Sequence, residues 1–220
     1  MYLYGYHTVK AALSNSKRQV QQVYVTKEQD FHINSPKHVD AKYLDKLLGN
    51  VNHQGIVAQV SSLPLSHIED VGARVLILDQ VTDPQNLGAI VRSAATFGFY
   101  DIVLRDYEQL IDSSVMARIA SGAVENIRFV GVANIARAIE SLKEQEFWIY
   151  GLDERGEQSL QKCKFPEKSA IVIGSEGYGL RMLTKKQCDA LLHIPHHGEF
   201  CVLNASHAAA ITMYAVMSQT

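Results

Sequence analysis

From residue 74 onward the chain alternates short, mostly apolar runs with stretches of helical periodicity, and few folds tolerate that pattern. Val75-Leu76-Ile77-Leu78, Ile102–Leu104, Ile127–Val130, Phe147–Tyr150, Ala170–Ile173 and Leu191–Ile194 read as strands. Between them, helices are predicted over Gly88–Phe97 with Gly98 ending the first, over Ser114–Ala120, and from an Asn134 cap to about Gln145. An alanine-rich helix follows from Asn204 to about Met217. Strands apolar on both faces must be covered on both faces. The expected fold class is therefore α/β, a mainly parallel sheet with helices on each side.

The first 60 residues read as a separate, smaller α/β domain. It has a helix over Tyr6–Leu13, a strand over Val20–Val25, a helix over Ala41–Leu48 ended by Gly49-Asn50, and a strand over Ile56–Val60. Residues 61–73 form a linker that opens on Ser61-Ser62-Leu63-Pro64-Leu65-Ser66 and closes at Gly72, leaving 74–220 as the large domain. Residues 1–50 carry seven Lys/Arg against four Asp/Glu, a balance of +3, and the remainder carries fourteen against nineteen, −5. A mildly basic module on an acidic body is compatible with phosphate contact, as it is with an ordinary solvated surface.

With 47% hydrophobic and 20% charged residues the composition argues against disorder. No apolar run is long enough to span a bilayer, and Met1–His7 lacks the features of a signal peptide, so a cytoplasmic protein is expected. Cys163, Cys188 and Cys201 are odd in number and widely spaced, which suits reduced thiols.

Ligands of such sheets gather beyond the carboxyl ends of the strands. Three loops stand there. Asp79–Ala94 holds an Asp83-Pro84 turn, Asn86 before a helix start, and a polar face of Ala89, Arg92, Ser93 and Thr96. Such a helix start suits a phosphate; equally, Asn86 is a helix cap and Arg92 a surface ion-pair partner. Ile173–Leu180 carries Gly174, Gly177 and Gly179 around Glu176, permitting positive φ and close backbone approach, although the spacing is not a dinucleotide fingerprint. His193–His207 includes His193, His196, His197, Cys201 and His207, but no standard zinc spacing, so no metal is expected. Asn204 reads there as a cap of the last helix.

Together these stretches resemble the three ordered motifs of the SpoU/TrmH family of RNA 2′-O-methyltransferases. Asp83-Pro84-Gln85-Asn86-Leu87-Gly88-Ala89-Ile90-Val91-Arg92-Ser93 is similar to its first motif, the Gly174–Leu180 loop to its second, and the stretch ending Leu203-Asn204 to its third. Gly5-Tyr6-His7-Thr8-Val9 and His53-Gln54-Gly55-Ile56-Val57-Ala58 resemble the L30e-like RNA-binding module that precedes this domain in some members. Ala120–Glu125 resembles a segment of the subgroup acting on a guanosine ribose in large-subunit ribosomal RNA.

The resemblance implies a trefoil-knotted domain, a homodimer built partly by the final helix, S-adenosylmethionine as cofactor, and structured RNA as substrate. Gly174, Gly177, Ile194, Pro195 and Leu203 match cofactor-holding positions. Asn86, Arg92, Glu176 and Asn204 match catalytic or substrate-contacting ones. In the implied chemistry Arg92 holds a phosphate and acidifies the 2′-hydroxyl, and Glu176 orients Arg92 or takes part in proton removal. One departure stands out: Val202 occupies a place where the family carries Ser. It motivates a rival reading, a cofactor- and RNA-binding protein with weakened catalysis. A tRNA 2′-O-methyltransferase and a generic α/β nucleotide-binding enzyme also fit these motifs.

Overall fold

The computed structural model describes residues 1–105, 110–198 and 202–219. The first part of the chain gives β1 (Tyr2–Tyr4), α1 (Tyr6–Ser14), β2 (Val20–Val25), β3 (Lys37–His38), α2 (Ala41–Leu48) and β4 (Ile56–Val60). These strands form a sheet ordered β1-β4-β2-β3, in which β4 is antiparallel to both β1 and β2.

The second part gives β5 (Arg74–Asp79), α3 (Pro84–Phe97), β6 (Asp101–Leu104), α4 (Ser114–Ala120), β7 (Arg128–Gly131), α5 (Ile135–Glu144) and β8 (Trp148–Leu152). It continues through β9 (Gln158–Ser159), β10 (Ser169–Gly174), α6 (Met182–Gln187), β11 (Ala190–His193) and α7 (Ala205–Met217). Its strands are ordered β7-β6-β5-β10-β8-β11-β9, and every neighbouring pair is parallel. Val75–Leu78 at its centre are at most 2% exposed, as their unbroken apolar character requires. Each such side chain contributes about 1.5–3 kcal/mol by leaving water.

The order of the strands fixes where a ligand can sit. From β5 the chain steps outward through β6 to β7. It then crosses to β8, and β10 returns to fill the space between β5 and β8. Gly174 therefore ends level with Asp79. The loops after β5 and β10 leave the sheet side by side, at the point where the winding reverses.

The first helix of this half starts four residues earlier than its hydrophobic pattern suggests. Asp83 caps it, accepting from the Gln85 N–H at 3.1 Å, and Pro84 takes the first helical position, where no N–H is needed. Asp83-Pro84 is thus a helix entry, and Asn86 lies inside the helix. Gly98 closes the helix in the left-handed conformation, φ 79°.

The two sheets share one core. Leu3, Val9, Ala12 and Ile56 pack in the same buried cluster as Met116, Ala117, Ala120 and Val124. The segment 61–73 is tied down as well: the Ser66 N–H donates to the Phe129 carbonyl at 2.8 Å, and the Gly72 N–H to buried Asp101 at 2.9 Å. Among the described residues no helix is long and apolar enough to cross a membrane.

Candidate active site

Three side chains from distant parts of the chain meet beyond β5 and β10. Asn86 donates from Nδ2 to Glu176 Oε2 at 3.1 Å; Asn204 donates from Nδ2 to the same oxygen at 3.1 Å and to Asn86 Oδ1 at 2.9 Å. Asn204 also caps α7, its Oδ1 accepting from the Ser206 N–H at 2.8 Å and from the Ser206 hydroxyl at 2.6 Å. Two donors reach Oδ1 and two acceptors face Nδ2, so the amide has one satisfactory orientation. The cap reading and the site reading of Asn204 therefore both hold. Glu176 Oε1 has no partner among the described residues and stays open to chemistry.

The glycine loop is folded tightly upon itself. Ser175 and Gly179 exchange backbone hydrogen bonds of 3.2 and 3.0 Å, leaving Glu176, Gly177 and Tyr178 projecting, with Tyr178 91% exposed. A Cβ on Gly174 would lie 2.2 Å from the Gly179 carbonyl carbon, so only glycine fits there. The turn itself needs positive φ at Gly177, 88°, and Gly179, 64°.

The loop is anchored at its far end by Asp79, which is fully buried. Its Oδ2 accepts from the Arg181 N–H at 3.1 Å, and its Oδ1 lies 2.7 Å from Arg181 Nε in an ion pair. On the neighbouring loop Asp153 is paired with Lys185 of α6. Burial pushes the Asp153 carboxyl up, but the Lys185 ammonium and the Arg155 N–H outweigh it, leaving the group below its ordinary 3.8.

Ile194 and Pro195 directly follow β11, and Leu203, 44% exposed, directly precedes Asn204. With Gly174 and Gly177 they stand at the carboxyl edge of the sheet. The buried Ser175 hydroxyl has no hydrogen-bond partner among the described residues. A glycine cradle, an orphaned hydroxyl and exposed Val202 and Leu203 beside Asn204 suit a ligand with a polar and an apolar part, as an adenosyl cofactor has.

Arg92 stands apart. Six residues beyond Asn86, it is turned about 120° around α3 and displaced by about 9 Å. It is exposed, and its guanidinium has no partner among the described residues. Of the two roles expected for Glu176, orienting Arg92 finds no contact among the described residues, since Arg92 leaves a different face of α3 further along the helix. Nor does Arg92 form the surface ion pair among the described residues.

Of the candidate metal ligands, His193 Nδ1 lies 2.7 Å from the Gly156 carbonyl and His196 Nδ1 3.1 Å from that of Gly198. Among the described residues no three His, Cys, Asp or Glu converge on a common point. Cys201 lies outside them. Sequence reasoning missed Ser175, Asp79, Arg181 and Ser206. The detectable signal was Asp79, a carboxylate directly after the apolar run Val75–Leu78.

Fold and site together define an α/β protein with a ligand crevice at the reversal of a parallel sheet, framed by a glycine turn and an asparagine-held carboxylate. The sequence model for the SpoU rRNA methylase family matches residues 73–214, and that for RNA 2′-O ribose methyltransferase substrate binding matches residues 2–65. The chain belongs to the SpoU rRNA methylase family, whose members are S-adenosylmethionine-dependent RNA methyltransferases.

Among its relatives, an uncharacterized tRNA/rRNA methyltransferase of Synechocystis is 38% identical over 99% of this chain. The match spans only 62% of that relative's length. The 23S rRNA (guanosine-2′-O-)-methyltransferase RlmB of Salmonella typhimurium is 32% identical over 99% of this chain and 98% of its own. The SpoU methyltransferase AviRb of Streptomyces viridochromogenes, solved with AdoMet, shares the fold: TM-score 0.82 at 20% identity, covering 100% of this chain and 89% of that one.

Proposed function

We propose that this protein transfers a methyl group from S-adenosylmethionine to the ribose 2′-hydroxyl of a guanosine in large-subunit ribosomal RNA, in the cytoplasm. The observation that carries the reading is the Asn86–Glu176–Asn204 cluster, one carboxylate oxygen open, beside a glycine cradle with an unsatisfied serine. The substrate follows from near full-length similarity to RlmB proteins.

Gly174, Gly177, Ile194, Pro195 and Leu203 hold the cofactor, with the Ser175 hydroxyl as an added contact. When bound, the cofactor supplies an electrophilic methyl carbon. A ribose hydroxyl is a poor nucleophile until its proton is leaving. Glu176, which makes no contact with Arg92, accepts that proton through Oε1. Asn86 and Asn204 fix the carboxylate. Arg92 binds the adjacent phosphate and lowers the hydroxyl's pKa by its charge; being always protonated, it is unsuited to act as a base. Ser206 holds the Asn204 amide in register, so Val202 need not mark a loss of catalysis.

Residues 1–60 act as the RNA-binding domain, 61–73 as linker and 74–220 as the methyltransferase domain. The final helix supports a homodimer: Ala205 and Ala209 are spent on packing within the chain, but Ile211 and Tyr214 stay 41% and 56% exposed. A trefoil knot is what the family likeness implies, and α7 packs on α3 and β10.

The test is tritiated methyl transfer to ribosomal RNA lacking the modification, with the site mapped by 2′-O-methyl-sensitive cleavage. A methylated guanosine in large-subunit RNA is expected. Methylation of tRNA alone, or of no RNA, would refute the reading.

A further inference from the structure

The stretch Ala120–Glu125 holds none of the reacting groups, yet it carries a buried polar joint between the two halves. Glu125 and Arg18 form an ion pair at 2.7 Å whose side chains are 5% and 2% exposed. Arg18 Nε lies 3.1 and 3.2 Å from the two carboxylate oxygens. The remaining Arg18 nitrogen, Nη1, donates to the Ser61 carbonyl at 2.9 Å, and Asn15 Nδ2 donates to Glu125 Oε2 at 2.6 Å. One carboxylate thus ties the end of α1 and, through Arg18, the start of the connecting segment to the methyltransferase half. A buried pair of this kind is seldom needed for stability, since apolar residues of similar volume commonly serve as well. A planar fork on a carboxylate does fix orientation.

Two glycines set the spacing beside this joint. At Gly122, φ 89°, a Cβ would lie 2.7 Å from Ala11 Cβ and 3.0 Å from the His7 carbonyl oxygen, so α1 rests directly on backbone. At Gly88 a Cβ would lie 2.7 Å from the Met116 carbonyl oxygen, so α4 rests on α3 in the same way. The Thr8 hydroxyl donates to the Ala117 carbonyl at 3.4 Å between the two contacts. The stack α3–α4–α1 is spaced by backbone, which does not re-pack as long side chains do. Its first member carries Asn86 and Arg92.

We infer that Arg18, Glu125 and Gly122 are positioning residues. They hold the N-terminal unit at one fixed spacing from the catalytic cluster, so that RNA gripped by the first half presents its ribose in register on the second. The consequence for the reaction rests on the RNA-methyltransferase reading above; the rigid joint does not.

The experiment measures the joint and the reaction separately. Spin labels carried by unnatural amino acids at the exposed positions Lys42 and Glu144 report the distance between the halves. The wild type should give one narrow distance. Glu125→Gln should broaden it, leave S-adenosylmethionine affinity unchanged, and lower kcat at saturating RNA by about tenfold to a hundredfold, the cost of ångström-scale misplacement. KM for RNA should move much less, and Arg18→Lys, which keeps charge without the fork, should fall between. If Glu125→Gln does not fold, the double variant Arg18→Met with Glu125→Met leaves no lone buried charge and should show the same broadening and kcat loss. A narrow distance in the variants, or a broad one with wild-type kcat, overturns the proposal. A wild type that methylates no RNA refutes the functional reading instead, while the joint is still judged by its distance.

Discussion

Replacing Arg92 separates chemistry from folding unusually well. The side chain is exposed and carries no partner among the described residues, so Arg92→Ala removes neither a buried surface nor an ion pair. Alanine is at least as good a helix former as arginine, so urea unfolding should shift by no more than about 0.5 kcal/mol. If Arg92 grips the phosphate and acidifies the hydroxyl, the same change should slow methyl transfer by about a hundredfold or more, about 2.7 kcal/mol of transition-state stabilisation. S-adenosylmethionine affinity should stay unchanged and RNA affinity fall modestly. Arg92→Lys restores charge without the planar fork and should recover RNA affinity better than rate. Single-turnover methylation at saturating RNA is the deciding assay. A near-wild-type rate for Arg92→Ala would remove Arg92 from the mechanism and return proton removal and charge stabilisation to the Glu176 cluster alone.

Gly174→Ala places a Cβ 2.2 Å from Gly179 and must open the Ser175–Gly179 turn. Strain of about 1–3 kcal/mol should weaken cofactor binding by about tenfold or more in isothermal titration. Arg181→Met strips the ionic partner from buried Asp79; because Arg181 is itself 34% exposed, the expected loss in urea unfolding is about 2–3 kcal/mol, below that of a fully buried pair. An unchanged midpoint would show that the pair does not hold the glycine loop. Burial, aided by the nearby Asp189 carboxylate, pushes the Cys188 thiol from 9.0 up to about 12. Iodoacetamide at pH 8 should therefore leave Cys188 unlabelled in native protein, read by peptide mass spectrometry. Since the folded value is raised, its contribution to stability is fully present below pH 9 and is lost as pH climbs toward 12.

The central strands were legible because an unbroken apolar run has few uses outside a sheet covered on both faces. β3 and β9, two residues each, were not, since only a partner strand defines them. α6 was missed because Met182 and Leu183 are exposed and give it no buried stripe. The start of α3 was misplaced because hydrophobic periodicity outweighed the cap and proline that set it. At the candidate site, Asn86, Glu176 and Asn204 could be named from motif order, but not joined: Glu176 lies 90 residues from Asn86 and 28 from Asn204. Only the adjacency of β5 and β10 brings them together. Ser175 gave no signal at all, because an unsatisfied hydroxyl is a property of its surroundings.

The common core of the two halves also limits how this enzyme can be re-aimed. A cassette exchange at the 61–73 connector would strip the cover from Met116, Ala117, Ala120 and Val124 and leave Glu125 buried without its arginine. A graft must bring its own inner face of α1, matched to Gly122. New RNA preferences are more safely written on the outer residues of the N-terminal unit, such as Lys10, Lys37 and Lys42, which the core does not use.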